Sequence, residues 1–361
     1  DTLILTGLKE IKGFEGNVVT NAGTVNIIAA DNGADITKTI ISNGITNTKT
    51  LNLKGNIEFN ADITGTGALT VDNAKVTFYA NNKIAQGDLY ITNTNGELTV
   101  GAANLQIANG SIANIGKLIL NGTHDANLAV AFTGQGTVEF ANSGVTTLTK
   151  NVQNNLIVDT GASVTAQTEG QQITGTINNA GTLNITAAVL KGVTVNTGEL
   201  NLGKQGVTND VIQVDIKGDT TDGTPANKGT LNIVGDVINT QNMFINQYQL
   251  NVRENATFTS ELSNLNIKDN IDNAGTLKLN AKDETPTAIK NNILNSKGTL
   301  IITQNTISNG EIAKDVEVMP TESKNIVQNK LIITDKATFI SELAKLDLSE
   351  DIENGGKLIL T

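Results

Sequence analysis

Cysteine and tryptophan are absent from this 361-residue chain, histidine occurs once, proline three times, and aromatic residues make up only 3%. Without cysteine there can be no disulfide, no thiolate metal site and no thiol nucleophile, and the chain can be exported unfolded without misoxidation. The lone His124, in NGTHDAN, has no second imidazole with which to build a histidine zinc site. A Ser-His-Asp arrangement would need His124 with Asp125 or another carboxylate, and no G-x-S-x-G nucleophile turn occurs. An exposed turn histidine is the simpler reading. The G-x-x-x-x-G-K-[ST] phosphate loop is missing too. No apolar run reaches the roughly 18 residues of a spanning helix, so direct membrane insertion by this segment is not expected. Net charge is −11, with no basic run, which argues against nucleic acid and anionic membranes as partners.

The scarcity of aromatics leaves Val, Ile and Leu to build any core. Glycine is plentiful, at 35 residues, and Asn and Thr recur throughout. β-Branched residues suit strands, and Asn and Gly suit turns. One phrase returns along the chain: residues 21–27 read NAGTVNI, 179–185 NAGTLNI, 227–233 NKGTLNI and 273–279 NAGTLKL. Looser copies include NGELTV at 95–100, IGKLIL at 115–120, GQGTVEF at 134–140, NTGELNL at 196–202, SKGTLII at 296–302 and NGGKLIL at 354–360. Counting copies that lack the glycine gives about 15, spaced by roughly 24 residues, as in solenoid repeats. A longer echo joins residues 256–279 to 337–360, with 12 of 24 positions identical at an offset of 337 − 256 = 81 residues. That offset reads as a duplicated block of three coils. Both ends, DTLILT and GKLILT, stop inside the pattern, so a fragment of a longer polypeptide is expected.

Leu-x-Ile and Leu-x-Leu have period two, which puts alternate side chains on one face of a short strand. A single coil cannot bury that face, whereas stacked coils form a continuous aliphatic column. The fold expected is an all-β, right-handed parallel β-helix, a single continuous domain over residues 1–361, with stacked amides from Asn at matching turns. Helices are disfavoured by the frequent Gly and Asn, although ISELAKLDLSED in the span 339–352 leaves room for a short one, and its cognate at 258–271 should match it. An antiparallel sandwich or barrel would give similar local turn signals and stays the structural alternative.

All three prolines lie in polar interruptions, at 218–229, 281–290 and 311–325, which read as loops projecting from the solenoid. The candidate partner-binding residues there are Asp219, Asp222 and Pro225; Lys282, Asp283, Glu284 and Pro286; and Glu317, Pro320 and Glu322. Polysaccharide hydrolases and lyases also use β-helices, and they need two acids at a set separation in a cleft. The sequence neighbours Asp31/Asp35, Asp219/Asp222 and Asp269/Asp272 could serve, but they sit in turn-like stretches without Trp platforms and read more simply as solvated turns. Residues 31–35, DNGAD, carry oxygen ligands without an EF-hand pattern. Neither a metal site nor a cofactor is expected.

The phrases NAGTLNI (179–185) and NTGELNL (196–202) resemble the strand repeats of autotransporter passenger domains. The Asn/Thr/Ile-rich composition, with VDNAKVTFYANN (71–82) and NGSIANIGKLIL (109–120), is similar more narrowly to the passengers of rickettsial surface cell antigens of the outer membrane protein B type. This resemblance implies export across the outer membrane and display on the bacterial surface. It also implies adhesion to a host-cell protein or glycan, or a self-associating surface layer, and it supplies no catalytic residue.

Overall fold

The structure, a computed structural model, describes residues 2–6, 10–11, 19–29, 38–79, 81–205, 208–219, 228–239, 243–281, 287–304, 316–320 and 324–360. The chain is a parallel β-solenoid of about 15 turns. It divides into two compact units, Asp1–Ile177 and Asn178–Thr361.

In the first unit each turn contributes to three parallel ladders. One runs from Thr2–Thr6 through Thr24–Ile28 and on to Asp88–Ile91, Ser111–Asn114 and Ala131–Thr133. A second runs from Thr39–Ile41 through Glu97–Gly101, Lys117–Asn121 and Thr137–Phe140 to Asn155–Val158. The long strands Thr50–Phe59 and Ala68–Phe78 serve both ladders, turning between them at Gly55 and Asn73, which adopt φ of 82° and 48°. The third ladder links Val19–Asn21, Ile45–Asn47, Ile63–Thr64, Ile84–Gln86 and Leu105–Ile107. The second unit repeats the scheme. Its ladders include Thr182–Ile185 to Thr230–Ile233 to Gln249–Val252, and Asp236–Asn239 to Thr257–Glu261 to Thr276–Ala281 to Thr299–Gln304.

The strand phrase alternates as its spacing requires. In Thr182–Ile185 the inward Leu183 and Ile185 are fully buried, and the outward Thr182 and Asn184 are not. The column is aliphatic, with Phe59, Phe132, Phe140, Phe258 and Phe339 fully buried among Leu, Ile and Val. Phe59 and Phe78, on successive turns, stack with ring centroids 4.5 Å apart.

The N-x-G portion of the phrase has its own physical origin. The Asn is a buried corner residue rather than a solvent-facing turn. Asn21 Nδ2 donates to Asn47 Oδ1 and to the Thr50 carbonyl, both at 2.8 Å. Asn47 Nδ2 donates to Gln86 Oε1 at 2.6 Å and to the Ala68 carbonyl at 3.0 Å. Between Asn47 and Gln86 the corner is Gly65, which offers no side chain, and the longer glutamine spans the missing rung. The same substitution recurs where Asn196 reaches Gln247 at 2.6 Å across Gly218, and where Asn273 reaches Gln328 at 2.5 Å across Asn295, whose φ is 121°. The glycine that follows is set by coil spacing. A Cβ at Gly116 would lie 2.2 Å from the Gly96 carbonyl oxygen, and one at Gly198 would lie 2.1 Å from that of Gly181. Coils about 4.8 Å apart leave no room for it.

Among the described residues three 3-10 turns interrupt the strands: Ala102–Asn104, Leu262–Asn264 and Leu343–Lys345. The last two are cognates in the long sequence echo, and both resolve the helix question in the same way, as a single turn between strands. The echo is not a three-coil block, however. Ala337–Ser341 is the tenth strand after Thr257–Glu261, and at three strands per turn that is three and a third turns. Thr257–Glu261 pairs with Thr276–Ala281, while Ala337–Ser341 belongs to a different ladder with Val316–Pro320 and Lys357–Leu360. The duplicated segment is displaced by one face, which the near-equivalence of the three faces permits.

Candidate binding surface

The expected projecting loops fare unequally. Asp219 is exposed at a bend after Ile216–Lys217. Asp222, Pro225, Lys282, Asp283, Glu284, Pro286 and Glu322 lie outside the described residues. Glu317 and Pro320 correct the third loop, because Val316–Pro320 is a strand. It pairs with Thr287–Ile289 on one side, with Pro320 opposite Ile289, and with Ala337–Ser341 on the other, where pairing stops at Val318. Proline is tolerated because it occupies the last position of the strand, beyond the two-sided part of the ladder. Residues 287–289 of the second loop are ladder as well.

His124 is exposed and rims a cavity of about 200 Å³ with Asn104, Asn121 and Gly122. Its main-chain carbonyl accepts from Asn142 Nδ2 at 2.9 Å. Asp125 Oδ1 accepts the Val145 N–H at 2.8 Å, so this carboxylate tethers the next coil. Of the acidic neighbours, Asp31 and Asp35 lie outside the described residues. Asp269 is exposed, and Asp272 is half-buried and accepts Asn295 Nδ2 at 2.8 Å. No cluster of three or more His, Asp or Glu suited to a metal is present among the described residues. No helix among them is long and apolar enough to cross a membrane.

Ion pairs and amide pairs both link coils on the outward faces, in different stretches: besides those below, Lys297 pairs with Glu254 and Lys330 with Glu353 in the second unit, and Asn52 Nδ2 donates to Asn26 Oδ1 at 2.7 Å in the first. In the first unit, ion pairs join successive coils: Lys38 to Glu58 at 2.6 Å, Lys54 to Asp72 at 2.9 Å, Lys75 to Glu97 at 3.2 Å and Lys117 to Glu139 at 2.8 Å. Burial pulls the Glu58 carboxyl upward, but hydrogen bonds from Lys38 and Tyr79 outweigh it and leave Glu58 below its ordinary value. The hydrogen bond to Glu58 holds the Lys38 ammonium above its own. Asp159, one coil beyond Glu139, is raised by burial and then by the Glu139 charge, with Lys117 opposing. This pair of acids with unequal environments was missed in the sequence; laying the strands 137–140 and 155–158 over one another reveals it.

In the second unit, from Asn184 to Asn251, the outward position is an amide ladder. Asn201 Nδ2 donates to Asn184 Oδ1 at 2.8 Å, Asn232 to Asn201 at 2.7 Å, and Asn251 to Asn232 at 2.8 Å. The ladder stops because the residue in register with Asn251 is Asp272, which brings a carboxylate where the rung below has an amide N–H donor. The outward groups are thus suited to polar contact and to holding coils in register. No protein-family model, no curated protein and no solved structure matches the chain.

Proposed function

We propose that this chain is part of a bacterial surface autotransporter passenger, a non-catalytic adhesin or stalk that meets a host-cell protein or glycan. The observation that carries this reading is the use of the described strands and corners for stacking. Inward positions seal an aliphatic column and corner amides cross-link the coils, while the outward positions are spent on register. Such a device holds a shape without disulfides. It also folds by adding one coil to the last, as suits a chain emerging from a membrane pore.

Binding is assigned to the interruptions rather than to the ladders. The test replaces residues 220–227 with a Gly-Ser linker of equal length, leaving the strands intact, and measures adhesion of the purified fragment to cultured host cells. Adhesion should fall to background while the circular dichroism stays that of β-structure. Undiminished adhesion would remove the assignment.

A surface-layer subunit is the second reading. Ordered arrays in electron micrographs of the purified chain would favour this reading over dispersed particles.

A further inference from the structure

The strand Leu105–Ile107, which follows the 3-10 turn Ala102–Asn104, ends its ladder. It pairs with Ile84–Gln86 and, among the described residues, with no strand on its other side. On the same face of the next coil, Ala126–Leu128 packs over the 3-10 turn and begins a new ladder with Val145–Leu148. A step of the same kind follows Leu262–Asn264, where Leu265–Ile267 pairs only with Ile245–Gln247. At the first step an open groove of about 560 Å³ is lined from both edges, by Leu105, Gln106 and Ile107 on one side and by Asn127, Ala129 and Val130 on the other. Binding clefts commonly measure roughly 300–1,000 Å³.

The main chain of this edge specifies what fits. Successive residues of a parallel strand aim their N–H and C=O groups to opposite sides. Ala108 N–H donates to the Gln86 carbonyl at 2.8 Å, so Gln106 and Ala108 face the previous coil while Leu105 and Ile107 face the groove. The Leu105 N–H closes the 3-10 turn onto the Ala102 carbonyl. The Ile107 carbonyl accepts the Gly110 N–H at 3.2 Å. There remain one acceptor, the Leu105 C=O, and one donor, the Ile107 N–H, bracketing Gln106. A single residue of an added strand satisfies both. The whole lining is uncharged, in a chain of net charge −11. Leu105 and Ile107, at 5% and 7% exposure, are also less sealed than the fully buried Leu98 and Val100 of the strand before the turn.

We propose that this groove takes an extended, uncharged peptide strand of a partner protein by β-strand addition to Leu105–Ile107. The site is independent of the polar interruptions to which adhesion is assigned above, so the two proposals fail separately. The probe is a blocked, fluorescent peptide with the sequence of residues 181–187, GTLNITA, titrated into the full chain. Each internal peptide nitrogen is then methylated in turn. Saturable binding is expected, weakened at least tenfold by methylation at one peptide nitrogen, the N–H that the Leu105 carbonyl accepts, and at least tenfold by Ala129→Glu. That variant adds a charge at an exposed position and should keep the β-sheet circular dichroism. Three results would overturn the proposal: no saturable binding at millimolar peptide, equal losses or none at every nitrogen, or full binding by Ala129→Glu. Concentration-dependent dimerisation that the peptide abolishes would overturn the choice of occupant by identifying a second copy instead.

Discussion

Two stretches of the chain hold neighbouring coils in register by different means. Over residues 38–139 the outward links are mainly lysine–carboxylate pairs, and from Asn184 to Asn251 they are side-chain amides. An amide both donates and accepts, so each rung leaves a group ready for the next, and the ladder continues until a residue breaks the sequence of donors. An ion pair is complete with two members, faces water and is screened by salt. A stack of amides therefore fixes register over many coils, whereas ion pairs fix it two coils at a time.

The largest effect should come from the middle of the amide ladder. Asn232 is buried, donates to Asn201 and accepts from both Asn251 and Arg253. Asn232→Leu strands these partners and should cost about 2–3 kcal/mol in urea unfolding. Extending the ladder should have the opposite sign. Asp272→Asn supplies the donor that Asn251 Oδ1 lacks among the described residues, and should raise stability by about 1 kcal/mol. A loss of stability would show that register, not donor chemistry, ends the stack. On the charged face, Lys117→Gln should cost under about 1 kcal/mol, and the cost should vanish in molar salt, because Lys117 is 37% exposed. The effect of Asn232→Leu should persist in the same salt.

The smallest effect is on pH. Glu58 titrates below its ordinary value, so its contribution is present above the unfolded carboxylate range and is lost as pH falls through the lowered folded value. Lys38 titrates above its ordinary value, so its contribution is present below the unfolded lysine value and is lost as pH rises through the raised one. Thermal unfolding of Glu58→Gln should show a flatter acid limb than the parent. An unchanged acid limb would place the acid sensitivity elsewhere.

Much of this architecture was legible in the sequence. Alternation in NAGTLNI shows which residues face inward, and the return of the phrase shows that coils stack. Four features were not legible, for physical reasons. Stacked asparagines at matching turns were expected and occur at Asn21–Asn47 and Asn179–Asn196, but only the stacking geometry shows that Gln86, Gln247 and Gln328 are the same corner one methylene longer. The echo at 81 residues suggested whole coils, because sequence identity cannot say which of three similar faces a segment occupies. The loop expected around Pro320 was misread because proline was taken as a signal against pairing, whereas the end of a strand accepts it. The step at Leu105–Ile107 gave no signal in the strand itself. Its cause lies in the preceding turn and in the strand that the next coil lays over it.

The absence of cysteine makes the central claim, that successive coils lie in register in a parallel stack, directly testable. Thr147 and Thr165 are register partners on adjacent coils, and Val164 points to the opposite face from Thr165. Paired cysteines at 147 and 165 should oxidise rapidly and quantitatively to a disulfide, since parallel neighbours lie within bridging distance, while cysteines at 147 and 164 should stay reduced under the same conditions. Equal oxidation of both pairs, or bridging of 147 to 164 alone, would contradict the stack.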